Sequence, residues 1–385
     1  MTIKLYDFDS YLTEFDAQVL DCEKCGEQYK TELDKTLFFP EEGGQSADRG
    51  TLNGIEITDV KLKDGVIYHY SNHPFTKGEM VHGKIDFDFR FRNMQNHSGE
   101  HIISGIAHKL FGYDNVGFHL GIDNVTMDLS GYIEDEDIKK IELLANKAVY
   151  ENHPVTAYYP PDDELKNLEY RAKGEIKENI RIVKIGNLDL CACCAPHVKN
   201  TGEIGIIKIL SKTRYKGGVR LNILCGYDAL NDYYKKHYTN SLISSLLSVK
   251  EDETYDGVKK LLDNITSLNI KLNERTKILA KHISDSVKFT KDNICLFFDG
   301  MDNDHLRLIA NEIKEKTESF AIILSGDDND CYRYIIISNK KSAEEFTKKA
   351  NLSLSGRGGG RLNMATGTFK ATKKEIENYF LNVIE

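Results

Sequence analysis

The chain has 385 residues, 40% of them hydrophobic and 29% charged, which is enough to build two or three globular domains with substantial cores. A net charge of −9 argues against a protein coated in positive charge that binds nucleic acid non-specifically, although it leaves room for a local basic groove. No run of about eighteen apolar residues is present and the first residues lack a signal-peptide pattern, so we expect no membrane partner. Eight cysteines, three of them crowded at positions 191, 193 and 194, indicate free thiols and predict a cytoplasmic protein.

Residues 1–90 are predicted to be rich in β-strands, because short runs of β-forming residues alternate there with turn residues. Within them, an apolar strand at residues 36–39 runs into a turn that carries Pro40, Gly43 and Gly44. Paired glycines permit a positive φ or the close approach of another backbone. On its own, this turn is best interpreted as a simple hairpin loop.

The first stretch with clear chemistry lies on a predicted helix at about residues 91–112. Apolar residues recur there near helical spacing together with His97 and His101, and Gly112 follows as a stop signal. The i, i+4 spacing puts both imidazoles on one face of the helix, one turn apart. A lone histidine on such a face is usually a hydrogen-bonded core residue, but two at this spacing favour a metal site.

A second stretch, residues 191–197, reads Cys-Ala-Cys-Cys-Ala-Pro-His and follows a predicted strand at residues 181–190. Cys193 and His197 repeat the i, i+4 spacing with a thiol and an imidazole. Together with His97 and His101 they form a set of four donors that suits tetrahedral Zn²⁺.

The rest of the chain is predicted to form a helical segment and a separate α/β unit. Residues 229–287 carry a heptad pattern that predicts a helical hairpin or short coiled coil linking two domains. Residues 288–385 alternate short apolar runs with helical patterns, which predicts βαβ organisation. Near their end, residues 355–361 read Ser-Gly-Arg-Gly-Gly-Gly-Arg, a predicted loop whose glycines and arginines suit contact with phosphate. No G-K-[ST] follows, so nucleotide hydrolysis is a poor interpretation.

Two clusters of cations are candidates for a basic groove. They comprise Lys208, Lys212, Arg214, Lys216 and Arg220, and further along Arg357, Arg361, Lys370, Lys373 and Lys374. From charge alone, a solvated face or a protected strand edge is the better explanation of each cluster.

Three chemistries compete for the metal. Residues 97–101, His-Ser-Gly-Glu-His, satisfy the inverted zincin pattern of metallopeptidases with Glu100 as base. Such a site needs a downstream carboxylate as its third ligand, and it gives Cys193 and His197 no role. Four protein ligands are typical of a closed, structural zinc. An ester hydrolase would use zinc to polarise a carbonyl, hold the substrate amine or acidify a water. The ligand types alone do not choose between the last two.

The ordered set of motifs resembles one family. His97-x3-His101, with Cys193-x3-His197 and the Thr-Gly-Glu-Ile-Gly of residues 201–205, is similar to the editing domain of alanyl-tRNA synthetases and most similar to the free-standing alanyl-tRNA editing proteins. The Gly-Gly-Gln of residues 43–45 resembles the signature of that family's N-terminal β-barrel, and residues 216–220 its closing strand. The Gly-Gly-Gly-Arg of residues 358–361 resembles the C-terminal DHHA1 domain of the long form.

The resemblance implies an α+β protein of four parts: an N-terminal β-barrel (1–90), a zinc-binding editing domain (91–228), a helical linker (229–287) and an α/β DHHA1-like domain (288–385). It implies hydrolysis of serine or glycine from mischarged alanine tRNA, with Zn²⁺ as cofactor and the tRNA as partner. The linker and the last domain are candidates for a homodimer interface. The alternative from another class is a tRNA-binding or dimerisation module with a structural zinc.

The resemblance also implies roles for individual residues. Zinc would be held by His97, His101, Cys193 and His197, with Gln45 in the substrate pocket and Glu100 near the attacking water. Contacts to substrate or tRNA are expected from Gly43, Gly44, Arg220, Arg357, Gly359 and Arg361.

Two departures from the family pattern leave the sulfur ligand and the amino acid removed open. Cys-Ala-Pro at residues 194–196 stands where the family has Gly-Gly-Thr, so Cys191 and Cys194 are alternative ligands. Glu100 stands where synthetases often have threonine, so the amino acid removed is left open.

Overall fold

The computed structural model describes residues 2–122, 124–172 and 180–382 of the chain. The chain divides into two compact units, Met1–Asn240 and Ser241–Glu385. Among the described residues, no helix combines the length and the apolar composition that a membrane span requires. The four-part division at residues 90, 228 and 287 stays a prediction.

The N-terminal residues consist of strands up to the first α-helix, as predicted. The strands are β1 (Ile3–Lys4), β2 (Glu14–Cys25), β3 (Gln28–Leu33), β4 (Lys35–Thr36), β5 (Gly50–Leu52), β6 (Ile55–Lys63), β7 (Val66–Ser71) and β8 (Met80–Ile85). Six of them pair antiparallel in the order β2–β3–β7–β6–β5–β8, and β8 pairs back with β2. Alternation places Phe15, Ala17 and Val19 of β2 in the core enclosed by this ring. The ring is not disposed evenly round an axis, so the β-barrel stays a prediction.

Helix α1 (Phe87–Phe111) carries both predicted ligand histidines. It begins four residues earlier than predicted, because the side chain of Asp86 caps it by accepting the N–H of Phe89. It ends at Gly112, which has the left-handed φ of 69° that the stop signal predicted. Every residue from 93 to 107 is buried, so this helix runs through the interior rather than along the surface.

The rest of the first unit surrounds α1 with two antiparallel sheets. Its elements are β9 (Asn115–Leu120), β10 (Val125–Leu129), α2 (Asp135–Glu151), β11 (Val155–Tyr158), α3 (Asp162–Leu165), β12 (Ile182–Ile185), β13 (Asp189–Ala192), β14 (Ile207–Tyr215) and β15 (Gly218–Cys225), followed by α4 (Tyr227–Leu247), which continues past Asn240 into the second unit. One sheet has the order β14–β15–β10–β9 and the other β11–β12–β13. Their apolar faces share one core with α1 and α2. Strand β13 leads directly into Cys193, so this sheet delivers the second pair of predicted ligands.

The second unit contains one five-stranded sheet. Its elements are α5 (Thr254–Ser286), β16 (Ile294–Phe298), α6 (Asn303–Ile313), β17 (Ala321–Gly326), β18 (Tyr332–Ile337), α7 (Ala343–Ser353), β19 (Arg357–Arg361), β20 (Met364–Phe369) and α8 (Lys373–Asn382). The strand order is β16–β17–β18–β20–β19. Strands β16 and β17 are parallel with α6 between them, which is the predicted βαβ unit, whereas every other pair is antiparallel.

The prediction of a loop at the glycine-arginine segment was wrong, because residues 357–361 form the edge strand β19. Glycine allows this pairing sterically. A Cβ on Gly358 would lie 2.6 Å from the hydroxyl of Tyr334, and a Cβ on Gly360 would lie 2.0 Å from the carbonyl oxygen of Met364. The glycines therefore let β19 approach β20 and the ring of Tyr334 more closely than a residue with a side chain could.

Candidate metal centre

The four residues predicted as metal ligands lie together in the structure. One donor atom from each of His97, His101, Cys193 and His197 lies within 4.8 Å of the other three. The three histidines are at most 5% exposed, and Cys193 is partly buried. Helix α1 supplies two of these side chains and the segment after β13 supplies the other two, so the packing of β13 on α1 assembles the cluster.

Each imidazole is fixed by a hydrogen bond at its Nδ1 atom. His97 Nδ1 lies 2.8 Å from Gln45 Oε1, His101 Nδ1 lies 2.9 Å from Asp189 Oδ2, and His197 Nδ1 lies 2.9 Å from Ser98 Oγ. Partners of this kind set the tautomer and orientation of histidines that bind metals through the other nitrogen.

The remaining nitrogens converge on the thiol. The Nε2 atoms of His97 and His197 lie 3.6 and 3.4 Å from Cys193 Sγ. Three Nε2 atoms and one sulfur are donors that Zn²⁺ favours in tetrahedral sites, so the residues fit this metal.

The electrostatics favour a thiolate at Cys193. Burial alone would raise the pKa of this thiol, but its electrostatic interactions with His97 and His197 and its hydrogen bonds with His101 and His197 hold its pKa well below its ordinary value. Burial would lower the pKa of His101, but the hydrogen bond to Asp189 holds its pKa well above the ordinary value. Burial lowers the pKa of His197 to about 3, so this imidazole is neutral, as a ligand must be.

The two alternative cysteines occupy less suitable surroundings. Burial raises the pKa of the Cys191 thiol and, more strongly, that of the Cys194 thiol, so both hold their protons. Cys191 belongs to a second group of donors with His101 and Asp189, but Asp189 Oδ1 already accepts a hydrogen bond from Arg171 Nε at 2.7 Å. Cys193 is therefore the best-placed sulfur of the three.

Glu100 is held beside the cluster by neighbouring polar side chains. It is 1% exposed, and its Oε1 atom accepts hydrogen bonds from Ser104 Oγ and Asn115 Nδ2. Its Oε2 atom lies 4.0 Å from His101 Nε2. The carboxylate thus faces the donor atoms of the cluster on one side and its two supporting residues on the other.

The glycine-rich segment at residues 43–45 docks against β9 and brings Gln45 to His97. Gly44 has a φ of 85°, and a Cβ there would lie 2.2 Å from the carbonyl oxygen of Phe118. The carbonyl of Gly44 accepts the N–H of Leu120 at 2.6 Å. A Cβ on Gly43 would lie 3.8 Å from Cys194 Sγ, so Gly43 borders the ligand segment as well. The Nε2 atom of Gln45 is buried and has no hydrogen-bond partner within the described part of the chain, so it is a donor available beside the cluster.

The cations of the first predicted basic cluster are largely paired with acids. Arg220 binds both carboxylate oxygens of Asp128 at 2.6 and 2.8 Å, and Lys212 lies 2.9 Å from Asp135. In the second cluster, all five residues of β19, which include Arg357, Gly359 and Arg361, are exposed. Neither group lies among the residues of the His–Cys cluster.

Two partners of the histidines escaped the sequence reasoning. Ser98 and Asp189 lie beside predicted ligands in the sequence, but nothing in the spacing distinguishes them from other polar residues. One sequence feature could have identified Asp189 as a buried residue, because alternation along β13 places it on the same face as the buried Cys191. The salt bridge between Asp48 and Arg90, both fully buried, joins the glycine-rich segment to α1 and was also missed.

Comparison with known proteins identifies two matching family models and several relatives. Residues 180–222 match the Threonyl and Alanyl tRNA synthetase second additional domain, and residues 291–385 match the DHHA1 domain. The alanyl-tRNA editing protein AlaX-L of Pyrococcus horikoshii is 29% identical over 98% of this chain and 96% of its own length. The alanyl-tRNA editing protein Aarsd1 of Mus musculus is 30% identical over 79% of each chain. An alanine–tRNA ligase of Haloquadratum walsbyi is 39% identical, over 60% of this chain and 26% of the ligase. The chain belongs to the family of alanyl-tRNA editing proteins.

Proposed function

We propose that this protein is a trans-editing deacylase that hydrolyses the ester between a wrong amino acid, serine or glycine, and alanine tRNA. The observation that carries the proposal is the buried His97–His101–Cys193–His197 cluster, in which a separate partner holds each imidazole. The names of the relatives support the same activity. An added hydroxyl or a missing methyl changes binding by only about 1–3 kcal/mol, so hydrolysis of the wrong product is a reasonable task for a separate enzyme.

In this proposal the four residues of the cluster hold Zn²⁺. Bound there, the metal would supply a Lewis acid beside the ester. Glu100 Oε2, beside His101, accepts a hydrogen bond from the attacking water or from the ammonium group of the substrate. Gln45 holds His97 through Oε1 and offers its Nε2 as a donor to the aminoacyl group. Gly43 and Gly44 shape the wall of the pocket, because both have a positive φ and a side chain at Gly44 would collide with Phe118.

The proposal assigns the six-stranded ring to a β-barrel, residues 91–228 to the zinc-dependent editing domain, and residues 229–287 to a helical linker. It assigns the protein to the cytoplasm, where free thiols persist. Arg357 and Arg361, separated by three glycines on an exposed edge strand, are proposed to contact tRNA phosphates over the open surface at Gly359. Arg220 is proposed to support the binding of substrate or tRNA indirectly, because Asp128 holds its guanidinium.

A homodimer through the linker is a further part of the proposal. Helix α5 has an apolar face on which Val258, Leu261, Ile265, Leu268 and Leu272 are 42–62% exposed. A heptad face of this kind normally packs against another helix. Sedimentation equilibrium of the full chain and of a Leu261→Glu, Leu268→Glu variant tests it. A monomeric wild-type protein would contradict the dimer.

The experiment that tests the function is deacylation of alanine tRNA charged separately with serine, glycine and alanine. Hydrolysis of serine or glycine and sparing of alanine is expected. The rival function, a tRNA-binding or dimerisation module with a structural zinc, predicts no deacylation at any protein concentration and unfolding on metal removal. The metallopeptidase hypothesis requires a downstream carboxylate ligand, whereas Cys193 and His197 complete the cluster around the two helical histidines.

A further inference from the structure

Two of the four cluster residues lie on a segment without regular secondary structure. Residues 193–197 follow the end of β13, and both Cys193 and His197 belong to them. A segment of this kind has no neighbouring strand to fix its backbone, so other groups must hold its carbonyls and N–H groups for the sulfur to keep its position.

Arg181 binds this segment on both sides of Cys194. Its Nη1 atom donates to the carbonyl oxygens of Cys193 at 3.1 Å and Ala195 at 2.9 Å. Its own carbonyl oxygen accepts the N–H of Cys193 at 3.0 Å. The residue is only 7% exposed. One arginine therefore contacts the peptide groups before and after Cys193.

The guanidinium of Arg181 is itself held in place. Its Nε atom lies 3.4 Å from Asp7 Oδ1, and the hydroxyl of Tyr159 donates to Asp7 Oδ2 at 2.9 Å. Asp7 thus compensates the buried positive charge, which would otherwise be costly. At the other end of the segment, Ser10 Oγ donates to the carbonyl oxygen of His197 at 3.0 Å. Residues near the N-terminus of the chain therefore secure both ends of the ligand segment.

We infer that Arg181, oriented by Asp7, is a positioning residue that sets the sulfur of Cys193 at the distance required for metal binding. The inference rests on the metal site of the proposed function. The planar guanidinium directs Nη1 at both carbonyls and at the same time places Nε beside Asp7, a fixed arrangement that a single ammonium cannot reproduce. Losing this bridge frees the carbonyl groups of Cys193 and Ala195, leaves the backbone bond to the Cys193 N–H in place, and touches none of the four donor atoms.

The test measures metal binding directly. Arg181→Met, Arg181→Lys and, as a matched control, Lys184→Met are loaded with Co²⁺ and with Zn²⁺; Lys184 is an exposed cation on the strand that follows Arg181. The intensity of the thiolate-to-cobalt absorption reports the Cys193 bond, and competition with a chelator reports zinc affinity. We expect Arg181→Met to weaken the absorption and to lower zinc affinity by about 10–100-fold, as for other partners that orient ligands. Arg181→Lys should show a smaller loss, and Lys184→Met none.

The outcomes separate this inference from the proposed function. If Arg181→Met and Arg181→Lys keep the wild-type cobalt absorption and zinc affinity, the positioning role is wrong, whatever the deacylation assay gives. If the wild-type protein binds Co²⁺ through a thiolate that both variants weaken, yet deacylates no tRNA, the proposed function fails and the positioning role stands. Should Arg181→Met fail to fold, Arg181→Lys decides, because it retains a cation beside Asp7.

Discussion

The His–Cys cluster and the glycine-arginine strand β19 present their proposed functional residues in opposite ways. In the cluster, each imidazole is buried and bound by a partner of its own, and even the backbone of the ligand segment is held by Arg181. In β19, all five residues are exposed, and three of them have no side chain. The proposed role of the cluster therefore depends on fixed geometry, whereas the proposed role of β19 depends on surface charge. Single substitutions should therefore have large effects in the first and small, salt-dependent effects in the second.

The largest effect is expected from removing ligands. The double variant Cys193→Ala, His197→Ala should lose zinc and should lose deacylation by more than the 10–100-fold that the loss of a supporting partner typically costs. Deacylation of serine-charged alanine tRNA and the zinc content measure it. Cys191→Ala is the matched control, since its thiol holds its proton and should not bind the metal. Full activity of the double variant would overturn the ligand assignment.

The next largest effect is expected at Asp189, whose carboxylate binds Nδ1 of His101. Asp189→Asn should lower zinc affinity by about 10–100-fold, because the charged acceptor that orients this imidazole is lost. Asp114→Asn is a close control, since exposed Asp114 accepts a hydrogen bond from Nδ1 of His108 at 2.8 Å. Equal zinc affinities of the two variants would show that the orientation of His101 matters little.

Two glycine substitutions extend the comparison between the surroundings of the cluster and β19 to the packing of the backbone. Gly44→Ala should destabilise the protein by about 1–3 kcal/mol, because the residue has a positive φ and its Cβ would collide with the carbonyl of Phe118. Gly359→Ala should change the unfolding free energy by less than about 0.5 kcal/mol, because, apart from its chain neighbours, no atom of the described residues lies within 4 Å of the added Cβ. Urea denaturation monitored by circular dichroism measures both, and equal losses would contradict the contrast.

The smallest effects are expected at the arginines of β19. Arg357→Ala and Arg361→Ala should each weaken tRNA binding modestly and lower the slope of log affinity against log salt by about 1. Deacylation at saturating tRNA should not change, because neither residue belongs to the His–Cys cluster. Fluorescence titrations at several salt concentrations measure the slope. A slope that is unchanged in the double variant would indicate that β19 does not contact the tRNA.

Much of the arrangement could be predicted because it depends on local patterns. The i, i+4 spacings of His97–His101 and Cys193–His197 identified the residues that meet in the cluster, and Gly112 marked the end of α1. The partners could not be predicted, because Gln45 and Ser98 reach their histidines across 52 and 99 positions of the chain. Likewise, the segment that forms β19 was predicted to be a loop. The tight contact with Tyr334, which makes glycine suitable in this strand, is a tertiary feature that the local sequence does not show.

The measurement that tests the central claim most directly is deacylation of serine-charged and glycine-charged alanine tRNA before and after removal of zinc by a chelator. Alanine-charged tRNA serves as the control substrate. We expect turnover of at least one mischarged tRNA, loss of that turnover on chelation, and its return when Zn²⁺ is restored. Alanine-charged tRNA should be spared throughout. Turnover that persists in fully metal-free, folded protein, or the absence of any turnover by the zinc-loaded protein, would contradict it.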